Sequence, residues 1–249
     1  MSGHSKWSTI KHKKAAADAK RGKLFTRLTK EITIAARERG GDVESNPRLR
    51  LAIDNAKEAN MPKDNIERAI KRGTGELEGA ELQEIVYEGY APHGVGLIVE
   101  IVTDNRNRAV AELRHVLTRF GGSMADAGSV LWQFQRKGFV SVKGKFDQDE
   151  LFLVAADAGA EDVRFEDGIA EVYTSLDDFT GVRETLSEAG YELDEATMIY
   201  EAKSALALEQ RASVQVLKVI EEVEDLDDVQ NVYSALDITD EVIAEMEGA

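Results

Sequence analysis

FVSVKGKFDQDELFLVAADAGAEDVRFEDGIAEVYTSLDDFTGVRETLSEAGYELDEATMIY, residues 139–200, switches repeatedly between two hydrophobic periods. Phe139–Val142 alternates like a strand. Asp149–Ala158 repeats at helical spacing, and Asp162–Phe165 returns to a strand. A turn at Asp167-Gly168 leads into a strand over Ala170–Thr174. Asp178–Ala189 is again helical, and Leu193–Tyr200 closes as a strand. The order β-α-β-β-α-β is that of the ferredoxin-like split unit.

The flanks of this unit are each incomplete. Before it, Ile85–Tyr87 and Gly96–Val102 read as strands. Arg106–Phe120 reads as a helix with Val110, Leu113, Leu117 and Phe120 on one face. Val130–Gln135 reads as another strand, which Arg136-Lys-Gly138 turns into Phe139–Val142. After the unit come a helix over Ser204–Val223 and a strand over Val229–Ala235. The front flank lacks a second helix and a closing strand, and the tail has both. Residues 80–135 and 204–249 are therefore expected to form one discontinuous domain, with 136–203 inserted in it.

Upstream, residues 23–79 read as three helices. Phe25, Leu28, Ile32 and Ala35 mark the first, which Gly40-Gly41 stops. Asn46-Pro47 opens the second, with Asn as cap, and Leu49, Ala52, Ile53 and Ala56 form its apolar stripe. Pro62 opens the third, carrying Ile66, Ala69 and Ile70, and Gly73 is read as its stop. Residues 1–22 hold Trp7 and Ile10 as their only large apolar side chains and read as a basic arm. The fold class is thus α+β: an arm and a three-helix bundle, then two sheet-and-helix sandwich domains, the ferredoxin-like one inserted in the other.

Charge divides the chain. Residues 1–75 carry 18 Lys+Arg against 9 Asp+Glu, while residues 76–249 carry 13 against 38. A basic head on an acidic body points to a polyanion partner for the head, or to docking of the head on its own body. In the arm, Lys6, Lys11, Lys13, Lys14, Lys20 and Arg21 are cations suited to phosphates, whose neutralisation releases counterions. Trp7 and His12 add planar rings that stack on unpaired bases; Trp7 equally suits anchoring the arm to the body. Lys23, Arg27, Lys30 and Arg37 form one basic stripe on the first helix, opposite its apolar one. Arg48, Arg50, Lys57, Lys63, Arg68, Lys71 and Arg72 decorate the other two helices, where a solvated face or the helix dipole accounts for them. Arg106 and Arg108 fall in the first turn of a helix capped by Asp104 or Asn105, where a cation opposes the dipole. A phosphate or a body carboxylate would compensate. The acidic run Glu221–Asp228 reads as a helix end and solvated turn, with contact to a basic partner, including the chain's own arm, as the alternative.

Other chemistry finds little footing. The chain has no cysteine, and its four histidines are scattered without a ligand-like pairing, so neither a metal site nor a cofactor is expected. Tyr87–Gly96 is glycine-rich but fits no nucleotide fingerprint, and reads as a shaped turn between strands. No serine sits in a nucleophile motif, so the chain reads as non-enzymatic. No apolar run reaches membrane-spanning length, and a reducing, cytoplasmic setting is expected.

Five strings carry a resemblance: GHSKWSTIKHKK (3–14), RGKLFTRLTKEI (21–32), NPRLRLAIDNAKEANMPKDNIERAIKRGTGE (46–76), YEGYAPHGVGLIVE (87–100) and TDNRNRAVAELRHVLTRFGG (103–122). With them the chain resembles the YebC/PmpR family of "probable transcriptional regulatory proteins", which includes the mitochondrial translational activator of cytochrome oxidase subunit I. The resemblance implies a three-domain α+β protein without known catalysis that acts in gene expression. Members have been assigned to DNA-binding regulation and to ribosome-linked translation. The implied partner is nucleic acid, either DNA or ribosomal RNA, with no membrane and no small-molecule substrate.

Overall fold

The computed structural model describes residues 17–166, 168–239 and 241–244, with side chains from residue 22 onward. The chain forms two compact units. Phe134–Lys203 is one; the described residues up to Gln133 and from Ser204 onward are the other. The architecture is α+β, with two four-stranded antiparallel sheets.

The larger unit opens with three helices: α1 (Ala17–Arg39), α2 (Pro47–Glu58) and α3 (Lys63–Gly73). They enclose a core of Leu28, Ile32, Ala35, Leu49, Ala52, Ile53, Ile66 and Ala69. Asn46 explains how the chain turns between the first two. Its Oδ1 accepts the Leu49 N–H at 3.0 Å, capping α2, and its Nδ2 donates to the carbonyls of Ala35 (2.8 Å) and Gly40 (2.9 Å) at the end of α1. One buried side chain thus satisfies backbone groups at two helix ends. Gly73 does not stop α3 by a left-handed cap. A Cβ there would lie 2.7 Å from Ala36 Cβ, so the glycine lets α3 press against α1. Gly75 (φ 81°) takes the left-handed conformation instead.

The same unit continues with β1 (Gln83–Tyr90), β2 (Gly96–Thr103), α4 (Arg106–Arg119) and the short β3 (Ser123–Met124). After the insertion come α7 (Gln210–Glu224) and β8 (Val229–Ser234). The sheet order is β3-β1-β2-β8, so the tail strand pairs directly with β2. Leu97, Val99 and Ile101 of β2, Ala109, Leu113 and Leu117 of α4, and Val216, Leu217, Ile220 and Val223 of α7 form its core. Full burial of each large side chain stabilises by about 1.5–3 kcal/mol. Ala109, not Val110, begins the buried stripe of α4. The tail helix starts at Gln210 rather than Ser204, because the chain before it stays extended: Leu206 N–H donates to Ala235 O, and Asp237 N–H to Leu206 O.

The smaller unit runs β4 (Phe134–Lys143), α5 (Gln148–Asp157), β5 (Ala160–Glu166), β6 (Ile169–Thr174), α6 (Phe179–Glu188) and β7 (Glu192–Ala202). Its sheet order, β5-β6-β4-β7 with every neighbour antiparallel, is ferredoxin-like. Asp167 lies outside the described residues, so the expected Asp167-Gly168 turn is described only at Gly168 (φ 79°).

One local expectation fails here. Arg136-Lys-Gly138 is no turn; Phe134–Lys143 is a single strand paired with β7 along its length, and Leu131–Gln133 before it is a 3-10 turn. Gly138 has a packing reason. A Cβ there would come within 2.7 Å of the Phe179 side chain, so α6 lies against the strand only over a glycine.

Candidate nucleic-acid interface

The arm residues Lys6, Trp7, Lys11, His12, Lys13 and Lys14 lie outside the described residues. Lys20 and Arg21 fall within α1, which begins at Ala17 and runs straight through Gly22.

The basic stripe of α1 is fully placed, and it faces the chain's own acidic body. Lys23 Nζ meets Asp225 Oδ1 at 2.9 Å and the Asp225 carbonyl at 3.1 Å. Arg27 Nη2 donates to Asn231 Oδ1 at 2.8 Å. Asn231 Nδ2 in turn donates to Glu100 Oε2 at 2.9 Å, which also accepts the Tyr233 hydroxyl at 3.2 Å. Lys30 Nζ reaches three acceptors at 2.9 Å: Asp228 Oδ1 and the carbonyls of Val102 and Asp227. An ammonium has three hydrogens, and all three are taken inside the chain. Arg37 bonds the Leu82 carbonyl.

Glu31, one helical step from Lys30, lies in the same layer. Burial raises its pKa above the ordinary value, against the pull of Arg48 and Arg27 and with the push of Glu84 and Glu100. Arg48 bridges Glu38 and Glu84, tying α2 to α1 and to β1.

The turn before α4 joins this network. Asn105 is the cap, its Oδ1 accepting the Arg108 N–H at 3.1 Å. Arg108 Nη2 pairs with Asp104 Oδ1 at 2.9 Å and Asp228 Oδ2 at 2.8 Å, so carboxylates offset the cation in the first turn. Arg106 Nε donates to the Tyr87 hydroxyl at 3.3 Å. Asp228 is the hub. Burial pushes its pKa up, but hydrogen bonds from Arg108, Lys30 and Thr103 outweigh burial and hold it below the ordinary value. The acidic run at the end of α7 thus meets basic side chains of the first helix and of α4.

Glu88 of β1 organises a second feature of this sheet. Its carboxylate accepts the backbone N–H groups of Gly128 (2.5 Å), Val130 (2.6 Å) and Leu131 (2.7 Å). Burial alone would raise its pKa, but these three donors lower it. They fix the loop that carries the exposed Trp132, whose indole N–H bonds Ser129 O at 2.9 Å. Of the expected Tyr87–Gly96 turn, Tyr87–Tyr90 belong to β1 and Gly96 opens β2, so the turn is confined to residues 91–95. There His93 is left-handed (φ 65°), and its Nε2 lies 2.9 Å from Gln215 Oε1.

Among the described residues, no group of His, Asp and Glu is arranged to hold a metal ion, and no helix is long and apolar enough to cross a membrane.

Two family models divide the chain at the boundary between helices and sheets. One, the TACO1/YebC protein N-terminal domain, matches residues 5–76, and the other, the TACO1/YebC second and third domain, matches residues 82–236. The chain belongs to the TACO1/YebC family. A relative from Trichlorobacter lovleyi is 53% identical over 99% of this chain and 100% of its own, and is named a probable transcriptional regulatory protein. One from Desulfatibacillum aliphaticivorans, with the same name, is 52% identical over 98% and 100%. The crystal structure of a conserved hypothetical protein from Aquifex aeolicus is 43% identical, covers 90% of this chain and 93% of its own, and superposes with a TM-score of 0.85.

Within the TACO1/YebC N-terminal domain, charge pairing separates two kinds of cation. Lys57 pairs with Asp54, Lys63 with Glu67, and Arg50 with Glu44. Arg68, Lys71 and Arg72 are exposed on α3, and among the described residues none has a carboxylate partner. Their spacing of three and four puts them on one face of the helix. Arg39 is exposed at the end of α1, beside the end of α3: a Cβ on Gly41 would stand 3.0 Å from both Ile70 and Thr74. In the sequence, the helix dipole accounts for Lys71 and Arg72, and the stripe on α1 stands out instead. Only the acceptors opposite each helix separate the two faces, and those come from residues far away in the chain.

Proposed function

We propose that the protein is a non-enzymatic regulator of gene expression that binds nucleic acid through its helical head, as a DNA-binding transcriptional regulator. The exposed Arg68-Lys71-Arg72 face of α3, free of carboxylate partners among the described residues, carries this reading. Unpaired guanidinium and ammonium groups suit phosphate oxygens, and the arm cations Lys6, Lys11, Lys13, Lys14, Lys20 and Arg21 add to the same charge. Lys23, Arg27, Lys30 and Arg108 hold the head to the body, so their part is to position the free cations. The strongly acidic remainder repels the polyanion and confines it to the head. The relatives' names support the transcriptional assignment.

A second reading is structured RNA of the ribosome. The outward face of α3 also carries Asp64 and Glu67 in its first turns. The cationic patch is therefore about one turn long, which suits backbone contacts more than a full groove-reading helix. Competition binding separates the readings. Retention of promoter DNA well above nonspecific competitor supports transcription. Sedimentation with ribosomes, lost on deleting residues 2–22, supports translation. Binding to neither DNA nor RNA overturns both.

A further inference from the structure

The helix layer of the Phe134–Lys203 unit presents an apolar surface that nothing in its own fold covers. Phe152 is 47% exposed and Leu153 61%, both on α5. The inward positions of that helix, Leu151 and Ala155, are fully buried, so the two large side chains point away from the core. Ala156, one turn after Phe152, is exposed too. Leu176, 41% exposed, precedes α6. The end of α5 abuts that turn, since a Cβ on Gly159 would stand 3.4 Å from the Asp178 side chain. Single exposed apolar residues are ordinary; a row on one helix and its neighbouring turn marks a contact surface.

Charge narrows the occupant. Residues 134–203 carry 17 Asp+Glu against 7 Lys+Arg. Of those cations, Arg136, Lys137 and Lys143 lie on β4 and Arg164 on β5, where Lys137, Lys143 and Arg164 pair with Glu161, Asp194 and Asp162. Within its helices the unit holds only Arg183, which pairs with Glu184. Of the remaining two cations, Lys145 is exposed in the loop before α5 and Lys203 follows β7. From Asp147 to Ala160 there is no Lys or Arg, and Asp149, Glu150, Asp157 and Asp177 stand exposed around the apolar row. A nucleic acid would be repelled here. We propose that this face docks a cationic, amphipathic segment of another protein. Its apolar side chains cover Phe152, Leu153 and Leu176, and its Lys or Arg groups meet the surrounding carboxylates. The site is separate from the nucleic-acid reading and stands without it.

A fluorescein-labelled synthetic Lys/Leu amphipathic helix is titrated into the full chain, with anisotropy as readout. A peptide of the same net charge with Ser in place of Leu serves as control. The expected result is saturable binding of the Lys/Leu helix. It weakens about tenfold in Phe152→Ser/Leu153→Ser and again in Asp149→Lys/Asp157→Lys, both variants keeping the parent melting temperature. Equal affinity for the control peptide, or affinity unchanged in both variants, overturns the proposal. A tenfold gain on deleting residues 2–16 would make the chain's own arm the occupant. Concentration-dependent dimerisation abolished by Phe152→Ser/Leu153→Ser would make it a second copy. Either result also overturns the assignment.

Discussion

Lys30 Nζ lies 2.9 Å from Asp228 Oδ1, with the two side chains only 15% and 7% exposed. The second oxygen of the same carboxylate holds Arg108 and Thr103, each at 2.8 Å. One acid thus joins the first helix, the start of α4 and the tail strand, and unites two cations whose sequence positions suggest phosphate binding. Removing one partner of a nearly buried pair leaves an uncompensated charge, a loss of about 3–5 kcal/mol. Asp228→Ala should therefore lower unfolding stability by that amount in urea melts. Asp225→Ala, which breaks the exposed Lys23 pair (48% and 69%), should change it by about 1 kcal/mol or less. Equal effects from the two would show that the Asp228 hub is not structural.

The acid limb of stability follows from the same groups. Asp228 and Glu88 both have folded pKa values below their ordinary 3.8 and 4.5. Their contribution is fully present above those ordinary values and is lost as pH falls through the depressed folded ones. Asp228→Asn and Glu88→Gln should each flatten the loss of stability below about pH 4.5. Glu31 has the opposite sign. Its folded pKa is raised by burial, so its charged form opposes folding as pH rises above 4.5. Glu31→Gln should leave stability at pH 7 equal or higher and remove that decline. A loss at pH 7 would mean that attraction to Arg48 and Arg27 dominates. Melts from pH 3 to 8 check all three variants.

Two glycines of the inserted unit test how its layers pack. A Cβ on Gly138 would lie 2.6–2.7 Å from Phe179, whereas one on Gly181, within α6, meets nothing within 4 Å. Gly138→Ala should cost about 1–3 kcal/mol through forced displacement of α6. Gly181→Ala should gain about 0.5–1 kcal/mol by helix propensity. Thermal melts of the two variants should move in opposite directions.

Much of the fold was legible because hydrophobic period carries it. The β-α-β-β-α-β order and the three-helix head follow from spacing alone. Gly138 misled, and Gly73 is the last residue of α3 as expected but not as a left-handed cap, because a glycine permits either a turn or a close approach, and only the neighbour decides. Phe179 decides the first, and Ala36 the second. The partners of the α1 stripe were out of sight for a different reason. Helical spacing shows that Lys23, Arg27 and Lys30 share a face, but not that Asp225, Asn231 and Asp228, some two hundred residues later, are opposite it. The sequence offered one signal, the acidic run at Glu221–Asp228, whose complementarity to a basic stripe was visible without saying which stripe it meets.

The free cations of α3 give the sharpest test of the nucleic-acid reading. Arg68→Glu/Lys71→Glu/Arg72→Glu removes three positive charges from a surface without carboxylate partners among the described residues, so folding should be little affected beyond the dipole contribution of about 0.3–1 kcal/mol for each cation in the last turn. Affinity for duplex DNA or structured RNA should fall across all sequences. Each lost phosphate contact should lower the slope of log K against log salt by about 0.9 on duplex DNA and somewhat less on single strands. A triple substitution should therefore flatten the slope by about two to three units. Lys30→Met should behave in reverse, lowering the melting temperature while leaving that slope nearly unchanged, because its three hydrogens are already held by Asp228, Val102 and Asp227. An unchanged slope in the α3 variant together with a flattened slope in Lys30→Met would exchange the roles of the two faces, making α1 the phosphate surface and its contacts with the body an arrangement that nucleic acid displaces.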